Sequence, residues 1–169
     1  MNADEIRRSS VLELAAALEQ GAVTSVELVR TYQQAADRVD PQTGTYLRRF
    51  DEAARAAAGE LDAERAAGRV RSAVHGVPLG VKDILATDEG PTTAQSLALD
   101  PAWGVAGDGP VVARLRTAGA IVLGKTTTME FAIGFPDLRL HRLAHMIGGN
   151  EKRHGRLRAE HGGAGSDDD

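Results

Sequence analysis

The sequence predicts an α/β protein, and three observations support this fold class. Helical periodicity fills most of the first 67 residues, and an alternation with a period of two follows at residues 75–84. Helix and strand patterns then alternate again from residue 110 onward, which is typical of α/β proteins, in which helices pack against a sheet. The chain has 169 residues, which is enough for one domain of ordinary size.

The composition is that of a globular protein in water, with 42% hydrophobic and 26% charged residues. A formal net charge of -4 indicates no basic surface for nucleic acid or anionic membranes. Cysteine is absent, which excludes disulfides, cysteine-based zinc sites and thiol nucleophiles. The first ten residues are polar, and no stretch approaches the roughly 18 apolar residues of a membrane span. We therefore expect a cytoplasmic protein with neither nucleic-acid nor membrane partners.

Two capping boxes mark the start of the first predicted helices. Ser10 precedes Glu13 by three positions, and Thr24 precedes Glu27 by the same distance. In such a pair the hydroxyl and the carboxylate each bind an N–H group that the first helical turn leaves free. The sequence therefore predicts one helix that begins after residue 10 and another that begins after residue 24.

The ends of these helices are marked by glycine and proline. The first helix is expected to stop at Gly21, and the second before Pro41, because the residue before a proline disfavours helical backbone. A third helix is predicted over residues 51–67, which are rich in Ala, Glu and Arg and are followed by Gly68.

The segment from His75 to Ile84 has the alternation of a strand that ends close to Lys82. One face carries apolar side chains and the other carries small or polar ones; the first set is Val77, Leu79 and Val81, and the second is Pro78, Gly80 and Lys82. Because the face with Lys82 is otherwise nearly bare, another backbone or a ligand could approach it closely.

Beyond this strand the predicted elements are short. Residues 87–109 are rich in Gly, Pro, Asp and Thr, which indicates a long loop. A helix is predicted over Pro110–Thr117, with proline at its first position and Val111, Val112 and Leu115 on its apolar side. A buried strand at 120–123 is then expected to lead through a turn at 124–126 into a further helical segment.

The character of the sequence changes after Asp137. Four of the five histidines and a cluster of arginines follow it, and no apolar pattern beyond Gly148 would bury a helix or strand face. We therefore expect one domain at 1–137 and an atypical, disordered tail at 138–169.

Three segments of the chain together resemble the amidase signature family. They are His75-Gly-Val-Pro-Leu-Gly-Val-Lys-Asp83, Gly90-Pro-Thr-Thr-Ala-Gln-Ser96, and Val111-Val-Ala-Arg-Leu-Arg-Thr-Ala-Gly-Ala-Ile-Val-Leu-Gly-Lys-Thr126 continuing to Glu130-Phe-Ala132. Each segment alone is weakly specific, whereas the long ordered match is highly specific. The resemblance covers most of residues 5–137. It implies an incomplete N-terminal portion of the family's fold, in which helices flank a mixed sheet.

The resemblance implies a hydrolase of carboxamide C–N bonds that uses a serine nucleophile, a bridging serine in a cis peptide and a lysine. The lysine maps to Lys82, the one catalytic residue that this chain supplies. An amine acts as a base only when it is neutral, and lysine has a reference pKa of about 10.4, so burial among neutral groups must lower the pKa of the family's lysine. The neutral amine would draw a proton through the bridging hydroxyl while the nucleophilic serine attacks the carbonyl.

The sequence departs from the family where the two serines are expected. The family has a Gly-Gly-Ser-Ser type loop after the Glu-Phe-Ala segment, whereas Gly162-Gly-Ala-Gly-Ser166 lacks paired serines and a following helix. Neither serine role is carried over to Ser166. We therefore expect a truncated or frameshifted product after about residue 137 that is inactive alone. The alternatives are a non-catalytic binding or interaction module, and one half of a split amidase that acts on a small-molecule amide once a downstream chain completes it.

Other candidate residues have plain structural explanations. Asp83 is expected to bond backbone amides, and Lys125 is expected at a strand-end turn because Gly-Lys-Thr lacks the upstream glycines of a phosphate loop. Thr93 and Ser96 suit a substrate cleft and loop hydrogen bonds equally well. Glu130 is expected to be a solvated or salt-bridged helix residue.

A metal site is not expected. His141 and His145 lie four positions apart, which on a helix would place both on one face and suit zinc. No adjacent carboxylate completes such a site, and no sequence motif indicates a cofactor. The sequence therefore predicts a protein with neither metal nor cofactor.

Overall fold

The computed structural model describes residues 1–100 and 107–133. Its elements in chain order are α1 (Ala3–Arg8), α2 (Val11–Glu19), α3 (Ser25–Thr43), β1 (Tyr46–Arg49), α4 (Asp51–Ala66), β2 (Pro78–Lys82), α5 (Pro110–Thr117), β3 (Ile121–Thr126) and a 3-10 turn at Glu130–Ala132. The predicted α/β class is confirmed. Within these residues, no helix combines the length and apolar character needed to cross a membrane. The expectation of a disordered tail at 138–169 lies outside the described residues.

The second and third helices begin where their capping boxes predict. The hydroxyl of Ser10 accepts the N–H of Glu13 at 3.3 Å, and the Glu13 carboxylate accepts the N–H of Ser10 at 2.7 Å. The same reciprocal bonds join Thr24 and Glu27 at 3.1 Å and 2.8 Å. Because each box satisfies two N–H groups that would otherwise face solvent, it fixes the first residue of the helix.

Two features of the helical region differ from the sequence-based expectation. The sequence pattern does not indicate α1, which has six residues and is capped by Asn2 and Glu5; it is too short to show apolar periodicity. In addition, α3 does not stop before Pro41 but continues to Thr43. A proline in the last turn removes few helical bonds. Gly44, in the left-handed conformation, then ends the helix with its N–H on the carbonyl of Asp40 at 2.7 Å.

The three described strands form one mixed sheet in the order β1-β3-β2. β3 is antiparallel to β1 and parallel to β2. The connection from β2 to β3 contains α5, which provides the crossover that a parallel pair requires. The four residues of β1 carry no clear alternation, so pairing with β3 is what identifies this strand.

β3 is longer than the sequence predicts. Residues 124–126 do not form a turn; they pair with both neighbouring strands, with an irregular register on each side. Gly124 permits this because a Cβ at this position would lie 2.3 Å from the backbone oxygen of Arg48 in β1. The glycine therefore marks a close approach of two strands and not the end of one.

Helices cover both faces of the sheet. Ile121 packs in a cluster with α3 and α4, whereas its neighbour Val122 packs with α5 through Val112. A third cluster joins α1, α2 and α3 around Leu28. The apolar side of α5 agrees with the expectation at Val112, which is fully buried, and differs from it at Val111, which is 51% exposed.

Candidate active site

Lys82 is the last residue of β2, and its side chain is exposed. The N–H of Asp83 donates to the carbonyl of Thr126 in β3 at 3.1 Å. The carbonyl of Lys82 accepts the N–H groups of Ile84 and Leu85 at 2.7 Å and 3.0 Å, so the chain turns directly after the strand. Lys82 therefore stands at the carboxyl end of a parallel strand pair, the edge at which open α/β sheets bind ligands.

Gly80 lies two residues before Lys82 on the same face of β2. Gly80 is exposed on this face, and Thr126 of β3 lies opposite Lys82. A Cβ at Gly80 would lie 2.8 Å from the methyl carbon of Thr126. A larger residue at position 80 would clash with that methyl group, so the glycine allows the Thr126 side chain to lie close against β2.

A buried polar cluster lies on the other side of this strand end. Lys125 is 1% exposed, and its ammonium donates to the carbonyl of Leu85 at 2.5 Å and to Thr92 Oγ1 at 2.7 Å. It also lies 3.3 Å from Asp83 Oδ1, while Asp83 Oδ2 accepts the hydroxyl and the N–H of Thr93 at 2.5 Å and 3.2 Å. We call these five residues the lysine clamp. Within it, Leu85, Thr92 and Asp83 each provide an acceptor for one of the three N–H donors of Lys125.

The clamp corrects the expectation for Lys125 and extends the one for Asp83. Lys125 lies within β3 and not in a turn after it, whereas Asp83 bonds the backbone N–H of Thr93 as expected and also pairs with Lys125. The sequence holds a signal for this pair. A lysine that directly continues the buried run 121–124 needs a buried partner, because an unpaired buried charge is very costly.

Burial lowers the pKa of the Lys125 ammonium because desolvation disfavours its charged form, and the Asp83 carboxylate opposes this change. The carboxylate of Asp83 is itself only 2% exposed. Removal of either partner would therefore leave the other as a buried charge without its counter-charge.

Two loops meet next to the clamp and are joined by side-chain hydrogen bonds. The hydroxyl of Ser96 donates to Glu130 at 2.7 Å, and Gln95 Oε1 accepts the N–H of Thr128 at 2.8 Å. Thr93 and Ser96, which the sequence assigns equally well to a cleft or to loop bonding, thus both take part in loop bonding. Glu130 is held by Ser96 in a 3-10 turn and not in the expected helix.

The same two loops hold four non-glycine residues with positive φ, namely Ala94 (48°), Gln95 (52°), Phe131 (51°) and Ala132 (59°). The N–H of Phe131 donates to the carbonyl of Ala94 at 2.9 Å, which joins the two strained segments directly. Met129 is extended, and the positive φ of Phe131 and Ala132 departs from α-helical backbone, so the helix expected here does not form. Strained backbone of this kind gathers at functional sites, where surrounding contacts hold it in place.

No group of three or more potential metal ligands occurs in the described ranges 1–100 and 107–133. The candidate pair His141 and His145, and Ser166 of the glycine-rich segment, lie outside those ranges.

Sequence comparison places these residues in a known context. The family model named Amidase matches residues 27–136. A glutamyl-tRNA(Gln) amidotransferase subunit of Renibacterium salmoninarum is 38% identical over 130 residues, which are 77% of this chain and 25% of that protein. The subunit of the same name from Paenarthrobacter aurescens is 41% identical over 135 residues, which are 78% of this chain and 26% of that protein. The chain therefore spans about a quarter of the length of these relatives.

Solved structures agree with the sequence match. The peptide amidase of Stenotrophomonas maltophilia has a TM-score of 0.67 and 35% identity to this chain, over 73% of this chain and 26% of that one. A structure described as fatty acid amide hydrolase has a TM-score of 0.63 at 20% identity, which shows a likeness of fold alone. The family match contains β1 to β3, Lys82 and the whole lysine clamp. The chain belongs to the amidase family.

Proposed function

We propose that this chain supplies the lysine base of an amidase that hydrolyses carboxamide C–N bonds, and that Lys82 is this base. The observation that supports the assignment is the position of Lys82 within the family match. Its side chain is exposed at the carboxyl end of β2, the strand that the family match contains. An amine in this position can be reached by a substrate or by a second catalytic group.

In the proposed mechanism the amine of Lys82 accepts a proton. The proton comes through a bridging serine hydroxyl from a second serine, which attacks the amide carbonyl and forms an acyl-enzyme. Lys82 returns the proton to the leaving ammonia or amine, and water then releases the acid. In this mechanism the described residues fix the backbone at Lys82, through the bond from Asp83 to Thr126 and through the turn that follows.

The 169 residues contain no paired-serine loop of the family type, so we propose that they release no product when tested alone. A second candidate, a split amidase completed by a downstream amidase polypeptide, is favoured by exposed apolar side chains on the two loops that the Ser96–Glu130 bond joins. Leu97, Phe131 and Ile133 are 90%, 47% and 79% exposed, and β2 has one strand neighbour in the described sheet. Exposed apolar side chains and an open strand edge are surfaces that another segment normally covers.

The test measures ammonia release from simple carboxamides. The samples are the purified chain, the chain mixed with the downstream three quarters of the S. maltophilia peptide amidase, and an in-frame fusion of the two. We expect no release from the chain alone and release from the fusion or the mixture. Lys82→Ala should lower that release roughly 10²-fold or more, because it removes a general base.

The matched control is Lys152→Ala, which removes a lysine outside the family match and should leave the rate unchanged. Release of ammonia by the chain alone would refute the proposed inactivity. Full activity of Lys82→Ala in the completed enzyme would refute the assignment of the base.

A further inference from the structure

The turn that follows Lys82 is held in place from the neighbouring strand. Lys125 of β3 donates to the carbonyl of Leu85, which is the last residue of this turn, and pairs with Asp83, which is the first. This turn is bonded directly to Lys82, because the N–H groups of Ile84 and Leu85 both donate to the Lys82 carbonyl. One ammonium therefore fastens both ends of the turn that begins at Lys82.

The strand register places the two lysines on opposite faces of the sheet. Lys125 is opposite Val81 in the parallel pair, and Lys82 is opposite Thr126. Residues opposite each other share a face, so the Lys125 side chain enters the buried side with Val81 while Lys82 remains on the open side. The clamp thus supports the strand end from behind and leaves the side that carries the Lys82 amine free.

The clamp also links this turn to the second loop. Thr92 accepts from Lys125, and Thr93 donates both its hydroxyl and its N–H to Asp83. The N–H of Ala94 donates to the carbonyl of Asp83 at 2.9 Å. Without the Lys125 ammonium, the carbonyl of Leu85 and the carboxylate of Asp83 would be buried without that donor, and the turn would have to open toward water.

We propose that Lys125 is a positioning residue for Lys82, acting through the turn at residues 83–85. The proposal rests on the function proposed for Lys82. In this arrangement Lys125 sets the direction of the Lys82 side chain by fixing its carbonyl and the following peptides. It also balances the charge of Asp83, the first residue of this turn, whose carboxylate is only 2% exposed.

The test uses the full chain and does not require turnover. The variants are Lys125→Met, which removes the ammonium, and Thr92→Val, which removes one acceptor while keeping the shape of the side chain. Arg7→Met is the matched control, because it removes a cation from the exposed Arg7–Asp4 pair of α1. The readouts are the NMR cross-peak of the Lys82 CεHε group and the hydrogen-exchange protection of the amides of Asp83 and Leu85.

Both clamp variants should shift the Lys82 cross-peak and lower protection of the two amides by at least roughly tenfold, which corresponds to about 1.4 kcal/mol of local opening free energy. Arg7→Met should leave both readouts as in the original chain. If Lys125→Met does not fold, Thr92→Val and the neutral pair Asp83→Asn/Lys125→Met decide the question.

The proposal is overturned if the folded variants keep the original Lys82 cross-peak. It is also overturned if they lose protection evenly across the sheet, residues 46–49 included, because a merely structural role predicts that uniform loss. In the completed enzyme, Lys125→Met should lower kcat at least roughly tenfold more than it changes KM. A failure of the base assignment is seen separately, as full activity of Lys82→Ala with the NMR differences intact.

Discussion

Replacement of Lys125 by methionine removes an ammonium that is 1% exposed and keeps a side chain of similar length. The Asp83 carboxylate, 2% exposed, then loses its ion-pair partner, and the Leu85 carbonyl loses a donor at 2.5 Å. Breaking a buried pair by removing one partner costs about 3–5 kcal/mol, because the remaining charge is buried without compensation. Domains are stable by about 5–15 kcal/mol, so Lys125→Met is expected to lose a large share of the free energy of unfolding.

The neutral pair Asp83→Asn/Lys125→Met is expected to recover most of this loss. An amide at position 83 retains an acceptor for Thr93, and no charge remains buried, so we expect a stability within about 1–2 kcal/mol of the original chain. Urea unfolding followed by circular dichroism gives each free energy and the coupling between the two positions. The exposed-pair control Arg7→Met should cost less than about 1 kcal/mol. A loss below about 1 kcal/mol for Lys125→Met, or a double variant as unstable as the sum of its single changes, would refute the reasoning.

Three further predictions concern the capping box, the strand contact and a buried phenol. Ser10→Ala should cost about 1 kcal/mol. The hydrogen bonds from Ser10 lower the pKa of Glu13, so the stability that Glu13 adds is lost as pH falls through that lowered pKa. An NMR titration of Ser10→Ala should show the Glu13 pKa closer to its ordinary range. An unchanged Glu13 titration would contradict this. Gly124→Ala places a Cβ 2.3 Å from the backbone oxygen of Arg48 and should lower the free energy of unfolding in urea by about 1–3 kcal/mol. The amides of β1 should lose protection from hydrogen exchange. Unchanged protection in β1 would count against the close approach of the two strands. Burial raises the pKa of Tyr46, so the stability that its neutral phenol adds is present below the ordinary tyrosine pKa and is lost as pH rises through the raised one. Tyr46→Phe should therefore flatten the alkaline part of the curve of unfolding free energy against pH. An equal slope in both proteins would contradict this.

The helix starts could be predicted because their causes are local. The boxes at Ser10 and Thr24 act over three residues, so the sequence contains both partners of each bond side by side. The end of α3 was harder to predict, because both Pro41 and Gly44 are residues at which a helix commonly ends. Gly44 fixes the end, and Pro41 remains inside the last turn.

The strand contacts could not be predicted in the same way because their partners are distant in sequence. β1 is a strand only because β3 pairs with it, and the role of Gly124 depends on Arg48. Likewise the Gly-Lys-Thr segment has the local composition of a turn, but Lys125 bonds a carbonyl 40 residues away. Tertiary partners override local preference at these positions.

The candidate site also has one part that could be predicted from the sequence and one part that could not. The position of Lys82 at the end of a strand follows from the alternation and from the family resemblance, and the structure shows it there with an exposed side chain. Its catalytic role stays a prediction. The clamp behind it was beyond the sequence, because it joins residues from a strand end, a loop and a second strand that only folding brings together.

The order of the strands has a consequence for how this chain folds as it is made. β3 lies between β1 and β2, although it is the last of the three to be synthesised. The bond from Thr127 to Thr45 closes a separation of 82 residues, and such non-local pairing is slow because loop entropy is lost before contacts compensate for it. Helices α1 to α4 can pair early, but the two outer strands must wait for residues 121–126 to emerge. A chain arrested before Ile121 would hold Lys82 on a segment that has no sheet to join.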